Sequence, residues 1–135
     1  MRKNLTGLLA KKDAVIAVVG ATDHLEKYGA IIYRDLKRRD YRVLAVNPNT
    51  ESVDDDPAYP TLRDLPAQPD IVDFVVPADV GMQVAKTAKQ IGMGNIWLQP
   101  GAESGELVEF LEQSGLDFDY DTCIMVQARY ALSAR

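Results

Sequence analysis

The stretch Val15-Ile16-Ala17-Val18-Val19-Gly20-Ala21-Thr22 decides the fold. Its first five residues are apolar without alternation and rich in β-branched side chains. That composition suits a strand covered on both faces, as in a parallel sheet. Gly20 ends the run at a point where glycine lets backbone approach a phosphate, and the next helix aims its free N–H groups at the same place. The helix reads from Tyr28 to Arg39, with Tyr28, Ile32 and Leu36 on one face and charges opposite.

Further along, the same alternation repeats. Val43 to Val46 reads as a second buried strand, stopped by Asn47-Pro48 because proline cannot donate to a ladder and pushes its predecessor toward extended geometry. Residues 49–69 are polar and proline-rich, with room for a short edge strand or one helical turn. Ile71 to Val76 is a strand ended by Pro77. Val80, Val84, Ala88 and Ile91 then mark an amphipathic helix, with Asp79 as its candidate cap. Asn95 to Leu98, Glu103 to Ser114 with Gly115 as its stop, and Leu116 to Tyr120 complete a strand–helix–strand series. Leu5, Leu8 and Leu9 suggest a short helix within residues 1–12, and residues 127–135 read as a C-terminal tail.

These elements predict one α/β domain over residues 1–135: a three-layer, Rossmann-like fold with a mostly parallel, doubly wound sheet. Periodicity leaves the Rossmann and flavodoxin-like strand orders both open. Either order places a ligand beyond the C-terminal strand ends, at residues 20–27, 47–49, 76–79, 99–101 and 121–123.

Composition narrows the function. The 135 residues are 47% hydrophobic and 26% charged, ordinary for a globular chain. A net charge of −5 argues against a nucleic-acid surface, and no apolar run is long enough for a membrane span. The basic stretch Arg34 to Arg39 reads as a solvated helix face, and Asp54-Asp55-Asp56 as a solvated loop. One cysteine, Cys123, excludes an internal disulfide and makes a cytoplasmic location the expectation. One histidine, His24, excludes a histidine-rich metal site. Met82, Met93 and Met125 read as core filler, and Trp97 as core or a subunit contact. Thr22 and Leu25 occupy the glycine positions of the dinucleotide fingerprint. Asn47 stands where an NAD enzyme usually carries an acid for the ribose, which argues against a conventional NAD dehydrogenase.

The strand ends resemble the CoA-binding domain family, related to the nucleotide-binding domain of the succinyl-CoA synthetase α-subunit. The likeness rests on residues 18–22, Val46-Asn47-Pro48, Ile71-Val72-Asp73, Val75-Val76-Pro77-Ala78, residues 96–101 and Asp121-Thr122-Cys123. It implies coenzyme A lying across the strand ends. Gly20, Ala21 and Thr22 would meet the pyrophosphate, with Lys27 as the basic residue. Asn47 and Pro48 would border the adenosine, with Asn49 next to them where relatives often carry Lys or Arg. Val76, Pro77 and Ala78 would line the pantetheine channel with Gln99, Pro100 and Gly101, and Cys123 would occupy the family's cysteine position. The resemblance favours a non-catalytic binding or regulatory module for CoA or acyl-CoA. Alternatives are an enzyme acting on a nucleotide or thioester through Cys123, and an NAD(P)-type nucleotide binder. Taken alone, Cys123 reads as a buried small hydrophobe. A homodimer through Trp97, Arg129 and Tyr130, or an unknown protein partner, completes the expectations.

Overall fold

The β1 strand, Val15–Val19, lies at the centre of a parallel ladder, paired with β2 (Arg42–Val46) on one side and β5 (Ile71–Phe74) on the other. In this computed structural model, which describes residues 1–133, the sheet runs β3-β4-β2-β1-β5-β6-β7. Strand β4 (Asp56–Tyr59) pairs parallel with β2, β6 (Ile96–Leu98) with β5, and β7 (Phe118–Asp119) with β6. Only β3 (Ser52–Val53) is antiparallel, in a hairpin with β4 whose turn residues Asp54 and Asp55 both have positive φ. With antiparallel β3 alone set aside, the six parallel strands run β4-β2-β1-β5-β6-β7, which is the Rossmann order rather than the flavodoxin-like one, and it reverses between β1 and β5.

Side chains alternate between two cores. Ile16, Val18 and Ile71 face the layer formed by α1 (Tyr28–Arg38), α4 (Ile124–Ser133) and a 3-10 turn at Thr6–Ala10. Ala17, Val19, Val72 and Phe74 face α2 (Ala78–Ile91) and α3 (Gly105–Ser114). Trp97 is fully buried, and its indole N–H donates to the Thr122 carbonyl at 2.9 Å. It is core, not a subunit contact.

Several boundaries differ from the sequence reading, for local reasons. The N-terminal segment is a 3-10 turn rather than a regular α-helix, with Leu5 and Leu9 buried and Leu8 packed at the edge of the core. The expected tail is mostly helix: Ala128 is buried and Leu132 packs against the core, while Ala134 and Arg135 lie outside the described residues. Helix α3 begins after Ser104, whose hydroxyl accepts from Leu107 N, rather than at Glu103. Strand β6 starts one residue late because Asn95 is left-handed. Tyr28 opens α1 with its side chain exposed, so only Ile32 and Leu36 of the expected face are buried. Helix α2 is rotated from its expected face: Gly81, Ala85 and Ala88 meet the sheet, and Val80 is exposed. Gly81 sits close under Phe74 and Leu107, where the small residues let the helix settle. Pro77, not Asp79, holds the N-cap position.

The acidic and basic stretches are not independently solvated. Lys37 contacts Asp54 at 3.2 Å and Asp56 at 2.9 Å, and Arg34 contacts Asp54 at 2.8 Å. The Tyr33 hydroxyl donates to Asp56 at 2.7 Å. Burial of Asp56 works to raise its pKa, but the Tyr33 hydroxyl and Lys37 ammonium outweigh it and hold the carboxyl below the usual range. Together these contacts clip the β3–β4 hairpin to α1.

Asp73 leaves both of its side-chain oxygens unsatisfied. It is fully buried on β5, and burial pushes its pKa well above the usual value. A raised folded pKa contributes stability that is whole below the unfolded value, about 3.9, and is lost as pH rises above it. Asp73→Val is therefore expected to raise stability at pH 8 by about 1–3 kcal/mol, with a smaller gain near pH 5. Thermal melts at both values check this; a destabilised variant would show that the carboxyl serves the fold.

Candidate functional site

Where the strand order reverses, the C-terminal ends of β1 and β5 diverge and Gly20 occupies the crest between two cavities. Gly20 has φ +97°, and a Cβ there would collide with the Val75 carbonyl and lie 2.8 Å from Val76 Cγ1. Gly29, in the first turn of α1, packs so closely that its own Cβ would strike the Gly20 carbonyl. Two glycines thus bring the start of α1 directly onto the end of β1, a contact that any side chain would open.

The first cavity, about 640 Å³, lies between the β2 and β4 ends and α2. Asn47, Pro48, Pro60 and Thr61 form one wall, and Asp79, Gln83 and Thr87 run along α2 on the other. The second, about 510 Å³, lies on the other side of Gly20. Lys27, Tyr28 and Gly29 border it at the start of α1, while Val76, Pro77, Gln99 and Cys123 border it from the β5, β6 and β7 ends. Both cavities open at one edge of the sheet, and Gly20 lines both.

The polar groups are partly committed. Gly20 N–H donates to Val46 O at 2.9 Å, and Ala21 N–H to Val18 O at 3.4 Å. Ala21 itself is buried, and the Thr22 hydroxyl accepts from His24 N at 3.2 Å. Asn47 donates through Nδ2 to Ala21 O and accepts from Asn49 N, tying the β2 end to the β1 turn. Gln99 is buried; its Oε1 accepts from Ile124 N at 2.8 Å, and its Nε2 lies 3.5 Å from Cys123 Sγ. Cys123 is half-buried beside the second cavity, not enclosed as a core residue.

Charge is distributed unevenly around this edge. Arg34, Lys37 and Arg39 are held by Asp23, Asp35, Asp54 and Asp56. Lys27 has no ion-pair partner among the described residues and stands at the mouth of the second cavity, next to the first turn of α1. The first amides of a helix have no carbonyl one turn back, so this end presents N–H donors, a positive dipole end and an uncommitted ammonium together.

Of the residues singled out from sequence, Gly20, Asn47 and Pro48 line the first cavity. Gly20, Lys27, Val76, Pro77, Gln99, Pro100, Gly101 and Cys123 line the second. Ala21, Thr22, Asn49 and Ala78 line neither, and stand beside residues that do. Sequence reasoning passed over the α2 wall. Its signal was the polar spacing Asp79, Gln83, Thr87 at i, i+4, i+8, one stripe of a helix. No group of three or more metal-ligating side chains occurs among the described residues, and no described helix is long and apolar enough to cross a membrane.

This geometry has close parallels. A conserved hypothetical protein from Pyrococcus furiosus has a solved structure that superposes with TM-score 0.82 at 45% identity, covering 84% of this chain and 98% of that one. A hypothetical protein from Pyrococcus horikoshii superposes with TM-score 0.85 at 26% identity, over 95% of this chain and 89% of that one. By sequence, the chain is 28% identical over 134 residues to acetate–CoA ligase (ADP-forming) I of Archaeoglobus fulgidus. That match takes in 89% of this chain but spans only 19% of the ligase. The profile described as CoA binding domain matches residues 14–129, which include both cavities. The chain belongs to the CoA-binding domain family.

Proposed function

We propose that this protein binds coenzyme A or its acyl thioesters across the C-terminal edge of the sheet, as a cytoplasmic binding or regulatory module. The adenosine end occupies the cavity beside Asn47 and Pro48. The diphosphate crosses Gly20, and pantetheine enters the cavity that leads to Cys123. The observation that carries this reading is the pair of cavities that share Gly20, with Lys27 unpaired among the described residues at the mouth of the second. A two-ended ligand with a charged middle fits that arrangement: an aromatic base, a diphosphate and an extended, uncharged arm.

The acidic hairpin does not oppose such a ligand strongly. Asp54 and Asp56 are already paired with Arg34 and Lys37, which reduces the field they project toward the strand ends. Titration calorimetry with CoA should give saturable binding, whereas no heat at millimolar CoA would overturn the reading. Lys27→Ala should weaken binding about fivefold at low salt, the modest size reflecting an exposed cation, and the difference should shrink as salt rises.

One observation favours a second reading, that the site also exchanges thiols. Cys123 Sγ borders the cavity assigned to pantetheine, within reach of the Gln99 amide. With CoA disulfide, the Cys123 thiolate would attack one sulfur, forming a protein–CoA disulfide and releasing the other CoA as thiolate. Intact mass should then rise by one CoA and return under dithiothreitol, and Cys123→Ser should bind CoA without the mass change. An unchanged mass in the unsubstituted protein would refute this reading and leave the binding proposal standing.

A further inference from the structure

We infer that the adenosine cavity is built for a ribose with a free 3′-hydroxyl, and that Asp79 sets this preference. The ligand class is then dephospho-CoA and its thioesters rather than 3′-phosphorylated CoA. The inference rests on the proposed function, since it concerns which coenzyme form that site accepts.

The two cavities differ in charge. The diphosphate crossing has Lys27 and the first turn of α1. The adenosine cavity has no lysine or arginine among the described residues that line it, and Asp79 is its one charged side chain. Asp79 lies in the first turn of α2, where a carboxylate offsets the positive end of the helix. The anion attraction that α1 offers the diphosphate is therefore cancelled on the α2 side. No hydrogen-bond or ion-pair partner of Asp79 occurs among the described residues, so its oxygens are free to accept from a ligand.

A basic side chain follows the opposite wall in sequence but is engaged beyond the cavity's lining. Arg63, adjacent to Leu62, does not line the cavity, and it donates to Gln90 Oε1, one turn beyond Thr87 on α2. Asn49, next to Pro48, is neutral and exposed. A dianionic 3′-phosphate placed here would face a carboxylate with no lysine or arginine among the described lining residues, which opposes binding. A ribose 2′,3′-diol places donors in the same cavity, and a carboxylate accepts from two neighbouring hydroxyls. The polar stripe Asp79, Gln83, Thr87 thus replaces, from the α2 side, the ribose-binding acid absent at Asn47.

Calorimetry on the full chain with CoA and dephospho-CoA, at matched low ionic strength, tests this. Dephospho-CoA should bind about threefold to tenfold more tightly than CoA, and Asp79→Lys should reverse the order by at least about tenfold in the ratio. Asp79→Asn should weaken dephospho-CoA and bring the two ligands close together. Thermal melts confirm that each variant is folded; should Asp79→Lys fail that control, the ratio in Asp79→Asn decides. CoA binding more tightly than dephospho-CoA in the unsubstituted protein would overturn the inference and leave the coenzyme reading intact. An unchanged ratio in the folded variants would remove Asp79 from it. Binding of neither coenzyme would overturn the proposed function itself, and this inference with it.

Discussion

The contact on which the site depends is backbone against backbone: the Gly20 carbonyl seated against Gly29, with Val75 and Val76 closing from the neighbouring strand. Because neither glycine carries a Cβ, α1 starts directly at the end of β1. The helix end, the crossover to β5 and both cavities are positioned by that one approach. Asn47 reinforces it by bonding the Ala21 carbonyl from the β2 side, and Val75 N–H by donating to Val19 O. The central ladder therefore stays in register up to the point where ligand chemistry begins.

Electrostatics then separates roles along one edge. The hairpin acids and the α1 bases neutralise each other in partly exposed pairs, each worth little in stability by itself. Their combined effect is geometric: they fix the β3–β4 arm to α1 beside the first cavity. Among the described residues that line the two cavities, the charged groups are Asp79 in the first and Lys27 in the second, and neither has an ion-pair partner.

Much of this was legible in the residues. Val15 to Val19 was readable because burial on both faces erases alternation, and Asn47-Pro48 and Pro77 mark strand ends through their missing donors. The strand order was not readable, since the Rossmann and flavodoxin arrangements share the same local periodicity. The rotation of α2 was hidden for another reason. Hydrophobicity points to Val80 and Val84, yet close packing under Phe74 selects Gly81, Ala85 and Ala88, and Val80 and Val84 line the cavity instead. Helix α4 was passed over although Ile124, Met125, Ala128, Ala131 and Leu132, which it packs into the core, recur at helical spacing. The state of Asp73 depends on its being enclosed, which no spacing reveals. The family likeness pointed to the strand ends; the pairing of the acidic hairpin required coordinates.

The ends of the sheet carry a consequence for how copies of this chain meet. At one margin β3 is only two residues long, and Pro57, a residue without an N–H, faces it from β4. At the other, residues 1–3 run alongside β7: Arg2 forms a parallel bridge with Phe118 and Lys3 N–H donates to its carbonyl. Neither margin offers a long row of open backbone donors and acceptors, the template on which strands from separate molecules add to one another. Addition of strands from another copy at either margin is therefore disfavoured.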